Sequence, residues 1–409
     1  VPGLPGLAPL RCTGHVRAQP GHTEMECHVS VTPEPPPTTA PTKAPNPPDE
    51  PTGAGLFSLI LRRQSIVVIL VALLGSVLIG AALIRYQGVS PWYAYQTIFK
   101  EALLVDGGLT RTLLKTAPLI LTGLAVVIPL RVGLFNIGGQ GQFVISAAVA
   151  GVTAYAARGA GFGALIIGLL VGVLVGAMWA SIAALLKTWR GVHEVITTIM
   201  LNNIAAGIIW WMVTTGPGAF KNTSQIPMTG PIDKAAWMPT IAGIPLGFVI
   251  AAALAILCGW MLSRTTMGFR FDTVGKNKFA AGYAGIPINR VILLSMVLAG
   301  GLAGLAGAME VHGVMHHFEP AIGGTLGFDG ITIALLARSN PIWTIPAAFL
   351  VGILRTGAAG LQFATGIAPE IVDLILAITL LLVSIPVLGR WIFRSRADKV
   401  QAAATSWGN

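Results

Sequence analysis

GLFNIGGQGQFVISAAVAG, residues 133–151, is the stretch on which the reading of this chain turns. It holds five glycines and the amides Asn136, Gln140 and Gln142 in the middle of otherwise apolar sequence. Composition identifies the surroundings. Only 10% of the 409 residues are charged, against roughly a quarter in soluble domains. Hydrophobic residues make up 54% and mean hydropathy is +0.75. An integral membrane protein is expected. Apolar runs of about 20 residues, the length that crosses a bilayer, recur along the chain. They are continuous rather than alternating, so the expected class is all-α, a polytopic bundle of membrane helices and not a barrel.

The ends differ from the middle. Residues 1–55 are rich in proline, as in VTPEPPPTTAPTKAPNPPDEP at 31–51, and such composition cannot build a packed core. A disordered cytoplasmic tail is expected there, and a short cytoplasmic C-terminal tail at 396–409, flanking a membrane domain at 56–395. The first tail has no basic start leading into a short apolar core and cleavage site, so it does not read as a secretory signal. Cys12, His15, His22, Cys27 and His28 lie in it, but without a CxxC or HxxxH pair or a foldable setting they do not make a zinc site.

Ten spans are expected, at about 65–84, 112–131, 136–157, 161–187, 194–213, 241–262, 291–311, 325–338, 341–358 and 370–391. Orientation follows from Lys and Arg in short loops, which stay cytoplasmic. Arg62 and Arg63, Lys187 and Arg190, the basic run from Arg264 to Arg290, and Arg390 to Lys399 all fall on one side if both termini are cytoplasmic. Segments 85–111 and 214–240 are then outside loops. The net charge of +10 needs no nucleic acid, since basic loops and anionic lipid headgroups account for it.

Glycine spacing bears on packing. Gly168, Gly172 and Gly176 recur every fourth residue, as do Gly300, Gly304 and Ala308, so each set forms a stripe that another helix can approach closely. The amide-rich break at 135–142 leaves two readings open. It is either a tight cytoplasmic turn or an interrupted helix whose free peptide groups and amides face a solute path, because irregular backbone at membrane depth must be buried in protein or line a cavity. Glu194, Thr198 and Asn202 share one face of the fifth span, with Asn203 beside them. TLGFDGITIALLARSNP, residues 325–341, repeats the pattern of glycines, an acid and a broken helix. Segments 112–213 and 291–391 then read as an inverted-topology repeat with corresponding breaks at 135–142 and 324–330. The candidate path residues are Phe135, Asn136, Gln140, Gln142, Asn202, Asn203, Phe328 and Asp329.

Enzymatic readings fail. His193-Glu194-Val195-Ile196-Thr197 begins like HExxH but lacks the second histidine. Glu310, His312, His316, His317 and Glu319 cluster beyond the seventh span, where an exposed polar loop accounts for them more simply than a metal. There is no GxxxxGK[ST] loop, so if ATP drives this protein another chain binds it.

GLFNIGGQGQ, with TTMGFRFDTVGKNKFAAGYAGIPINR at 265–290 and LAGGLAGLAGAMEV at 298–311, resembles the binding-protein-dependent ABC importer permeases of the branched-chain amino acid, ribose and nucleoside type. The resemblance covers about residues 60–395. The Phe-Asn-Ile-Gly run followed by Gly-Gln looks most like the nucleoside branch, whose members often carry an acid where this chain has Gln140. The resemblance implies a permease that catalyses nothing and binds no cofactor, with ATP and Mg on a partner ATPase, a second permease that is homologous or identical, and an external substrate-binding lipoprotein, all at a plasma membrane. It also implies that the 263–290 loop couples to the ATPase through Gly268, Arg270, Gly275, Asn277, Ala281 and Gly285. The basic residues and small Gly/Ala positions of that loop suit docking. Two other readings stand beside it: a simple-sugar permease of the same type, and an ion-coupled carrier using Glu194, Asp329, Glu310 or Asp373.

Overall fold

A computed structural model of the chain describes residues 71, 73–215, 228–322 and 324–384. The chain divides into a unit at Val1–Gly55 and a unit at Leu56–Asn409. The expected proline-rich tail with its cysteines and histidines, and the tail at 396–409, lie outside the described residues.

The second unit is built of helices. α1 (Leu73–Tyr86) and α2 (Pro91–Phe99), which runs on through a π-helical turn at Lys100–Leu104, meet at 115°. The bend has a local cause: Gly88 adopts φ +85°, and Pro91 opens the next helix, where its missing N–H costs nothing. The segment 85–111, expected as an outside loop, is therefore largely helical. α3 (Gly108–Arg131) follows as the central element, packed against α7 (Leu246–Arg264), α10 (Ile288–Glu310), α11 (Leu326–Leu336) and α12 (Thr344–Thr365). Its burial is nearly complete between Thr112 and Pro129, which fits its almost uniformly apolar sequence.

α4 (Gly139–Ala156) and α5 (Phe162–Arg190) form a second layer against α10, and α6 (Glu194–Thr215) packs on α4 and α5. Between α6 and α7, Thr240–Ile241 pairs antiparallel with Ile244–Pro245 across a turn at Ala242 and Gly243, both at positive φ. That turn delays the start of α7 to Leu246, later than the apolar run predicts. α8 (Thr266–Lys276) and α9 (Lys278–Tyr283) link α7 to α10, and α13 (Glu370–Ser384) closes the described chain.

Helices therefore occupy the expected apolar segments, yet only six of those described are long and apolar enough to cross a membrane alone: α3, α5, α6, α7, α10 with its π-helical extension at Val311–Met315, and α12. The bent pair α1–α2 makes a seventh candidate. α11 is apolar but short, in keeping with the break at Asn340-Pro341. The chain is a multi-pass membrane protein.

The two glycine stripes pack on each other. Gly168, Gly172 and Gly176 of α5 face His312, Ala308 with Gly304, and Gly304 with Gly300, an antiparallel register. A Cβ at Gly176 would strike the Gly300 carbonyl, and one at Gly304 would strike that of Gly172. Small residues let the two backbones meet, which replaces the hydrophobic driving force that lipid does not supply. Gly304→Val should cost about 1–3 kcal/mol of stability or more, since backbone cannot move aside as a side chain can. Gly207→Ala, which meets nothing within 4 Å, should be neutral or slightly stabilising. Thermal unfolding of the purified variants in one detergent checks both, and equal midpoints would refute the tight α5–α10 seam.

Candidate functional site

The amide-rich break is neither a simple turn nor a straight helix with a gap. α3 ends at Arg131, the backbone reverses at Gly133 with φ +77°, and Asn136 Nδ2 donates to the carbonyl of Ala125 at 3.3 Å. The irregular segment thus doubles back beside the last turns of α3 before α4 starts. Its polar groups are satisfied by amides. Asn136 and Gln142 bond each other reciprocally at 3.1 Å, and Asn136 Oδ1 also accepts the Gly138 N–H at 3.1 Å. Asn202, from α6, accepts the Gly141 N–H at 2.8 Å and donates to the Ile137 carbonyl at 3.0 Å. Early N–H groups of a helix have no partner within it, and here side chains supply one.

Gln140 then ties this helix start to a second one. Its Oε1 accepts the Gly327 N–H in the first turn of α11 at 2.8 Å, and its Nε2 donates to the Gly324 carbonyl at 2.8 Å. A Cβ at Gly327 would collide with the Gln140 backbone. The breaks at 135–142 and 324–330 are therefore in contact, with two helix N-termini, each a centre of partial positive charge, brought together. Asp329 lies in the first turn of α11, where a carboxylate is favoured. It pairs with Arg355 of α12 at 2.5 Å, and Arg355 also reaches Asp373 at 3.2 Å and the Thr325 hydroxyl at 2.7 Å.

Gln140 and Asn202 line a cavity of about 290 Å³ with Gly141, Val144, Trp210 and Pro320. Asn136 and Gln142 are fully buried and face each other. Phe135 is half-buried and Phe328 exposed. Asn203 points away from this group, exposed and bonded to the Ile199 carbonyl of its own helix. Thr198 packs near Gly138 while its hydroxyl returns to the Glu194 carbonyl at 2.8 Å. Glu194 is held by Lys187 at 2.5 Å across the α5–α6 turn.

Two further cavities, of about 340 and 390 Å³, adjoin one another and share Lys115, Val314 and Ala359. Glu310, Arg355 and Asp373 line the first, Glu101, Arg111 and His316 the second. Each chamber borders a π-helical turn, a distortion frequent at functional sites. Lys115 and Arg355 are not among the residues singled out from sequence, although a charge within an apolar span is itself a functional signal. The histidine cluster is no exposed loop. His312 is fully buried, with Nδ1 2.8 Å from the Ala236 carbonyl. His316 stacks on Trp237 with ring centroids 3.7 Å apart, and burial holds its imidazole below the ordinary pKa. Among the described residues no group of three or more His, Cys, Asp or Glu is placed to hold a metal.

The 263–290 loop forms two helices with side-chain caps. Thr265 accepts the Gly268 N–H at 3.3 Å, and Asn277 accepts those of Phe279 and Ala280 at 3.0 Å. Gly268 and Ala281 are buried, while Arg270, Gly275, Asn277 and Gly285 are exposed, the last at φ +75°. Gly275 lies against the Arg131 carbonyl and Gly133, where a Cβ would collide. Arg131 and Asp272 pair beside it at 3.6 Å. Phe269, Phe279 and Tyr283 stand out from the surface.

Residues 108–384 match the model of a family described as branched-chain amino acid transport system / permease component. The guanosine ABC transporter permease protein NupP of Bacillus subtilis is 31% identical over 80% of this chain and 95% of its own. The nucleoside ABC transporter permease protein NupB of Lactococcus lactis is 33% identical over 79% and 92%. The glucose ABC transporter permease protein TsgB13 of Haloferax volcanii is 30% identical over 75% and 84%. No solved structure matches the chain significantly. With the family model spanning α3 to α13, the chain belongs to the family of the branched-chain amino acid transport system permease component.

Proposed function

We propose that the chain is the membrane subunit of an ATP-driven importer that translocates a nucleoside delivered by an external binding protein. The observation that carries the site is the Gln140 junction, where two helix starts meet beside a cavity that presents two uncharged amides, Gln140 and Asn202, in an otherwise apolar wall. A nucleoside is neutral at physiological pH, and an amide offers both donor and acceptor to its hydroxyls and base edges. The Bacillus and Lactococcus relatives, guanosine and nucleoside permeases by name, favour the same class of solute. The Haloferax relative, a glucose permease by name, keeps a simple sugar as the second reading.

On this reading the chain crosses the membrane ten times with both termini cytoplasmic, and its halves are inverted repeats meeting at Gln140 and Gly327. Gln140, Asn202, Phe135 and Phe328 face the solute, Asn136 and Gln142 shape the wall behind them, and Asp329 with Asn203 sits at its margin. The chain binds no cofactor; ATP and Mg belong to a partner ATPase. A second permease, homologous or identical, completes the path, in a bacterial plasma membrane with anionic lipid around the basic loops. The α8–α9 pair seats in the ATPase, because basic Arg270 stands among exposed aromatics outside the candidate spans, and aromatic and arginine anchors dominate protein interfaces.

Gln140→Leu removes both bonds to the α11 start and should lower uptake about tenfold while leaving the amount of protein in the membrane unchanged. Asn136→Leu strands the buried Gln142 and should reduce the amount of folded protein instead. Uptake of labelled nucleosides, pentoses and branched-chain amino acids in cells carrying the whole system tests the assignment. Competition by pentoses but not by nucleosides would overturn it.

Arg270→Glu should leave the protein in the membrane and abolish solute-stimulated ATP hydrolysis by the assembled system. Normal stimulation would place the ATPase contact elsewhere. Gly275→Ala is a separate probe: it acts inside this chain, through the Arg131 carbonyl, and should slow transport without weakening ATPase binding.

A further inference from the structure

We infer that the chamber beside α3, α10 and α12 is a second solute station, where Glu310 and Lys115 grip the vicinal hydroxyls of a ribose ring; this rests on the nucleoside reading above. Glu310 ends α10 with 5% of its surface exposed, and its Oε2 is buried with no hydrogen-bond partner. A carboxylate left so in a membrane domain is costly, so such a group is retained for what it binds. Lys115 lines the same cavity and is the foremost positive neighbour of Glu310, yet the two form no contact ion pair. A free acceptor and a free donor thus face one space without closing on each other. The Thr356 hydroxyl, also buried and unpaired, lines the adjoining half.

The chemistry of that gap selects its occupant. A lone cation would satisfy Glu310 but be repelled by Lys115, Arg355 and Arg111, and an anion would meet Glu310 and Asp373. A neutral group that both donates and accepts fits both. Two adjacent hydroxyls can donate to the two oxygens of one carboxylate while a ring or hydroxyl oxygen accepts from an ammonium. Each half of the chamber falls within the usual 300–1,000 Å³ of small-molecule sites, so the sugar has room in one half and the base in the other. Arg355 joins this station to the Gln140 junction, since it lines the chamber and holds Asp329 at the start of α11.

The test uses the complete importer in cells, with the binding protein unchanged. Uptake of a labelled ribonucleoside and of its 2′,3′-dideoxy analogue is measured in wild type, Glu310→Gln and Lys115→Met, each normalised to permease in the membrane. Glu310→Gln should slow ribonucleoside uptake about tenfold, as expected for a lost charge-assisted bond, and leave the analogue within about twofold of its wild-type rate. Lys115→Met should show the same selectivity more weakly. Equal losses for both solutes would make Glu310 a structural residue, and no loss would empty the chamber of any role; either overturns the inference. Uptake that in wild type depends on a sodium or proton gradient, and loses that dependence in Glu310→Gln, would assign the chamber to a cation instead. If wild type carries no nucleoside at all, the nucleoside reading itself fails, a result distinct from any difference among variants.

Discussion

Everything in the centre of this protein answers to one constraint: peptide groups that leave a helix where protein covers them must find a partner, because no water is there to provide one. At the breaks before α4 and α11 the chain meets the constraint with amide side chains. Asn136, Gln142 and Asn202 complete the start of α4, and Gln140 completes the start of α11 while anchored on α4. A carboxylate could accept such N–H groups but could not also donate to the Ile137 and Gly324 carbonyls. The amide does both, and stays neutral at any pH.

The same constraint organises the packing. Removing water removes the usual reason for helices to associate, so close approach has to come from shape. The α5–α10 seam achieves it by omitting side chains, and the adjoining α4–α10 contact repeats the device where Gly307 meets the Phe143 carbonyl. α3 is then enclosed by neighbours on most sides, which is why its buried threonines, Thr112, Thr116 and Thr122, bond back to its own backbone or to the nearby π-helical turn rather than to water.

Features written in local pattern are legible in the amino-acid sequence. Hydropathy announces a helical membrane protein, the four-residue glycine spacing marks the stripes that pack together, and amides amid glycines mark the break. What pattern does not convey is partnership. Gln140 and Gly327 are far apart in sequence: the matching breaks at 135–142 and 324–330 pair the two segments, but nothing in either names the bond between these two residues. The chamber is less legible still, since Lys115, Glu310 and Arg355 come from three helices and no local pattern joins them. Short elements escape for a different reason: α2 reads as part of an outside loop because its run of nine residues is too short to span, and the histidines near 312–317 read as exposed because polar composition stands for exposure only until a neighbour such as Trp237 covers it.

The contact of Gly275 with Arg131 and Gly133 has a mechanical consequence. Where two segments touch through side chains, part of any displacement is lost as rotamers readjust, and the joint has play. Here main chain rests on main chain, with nothing between that can rotate. A push on α8 toward the membrane is therefore delivered without slack to the reversal that carries Asn136. The reversal in turn holds α4, and α4 holds α11 through Gln140. The joint at Gly275 is a rigid bearing, and whatever play the line from α8 to the cavity has lies beyond it, in the amide bonds of Asn136 and Gln140.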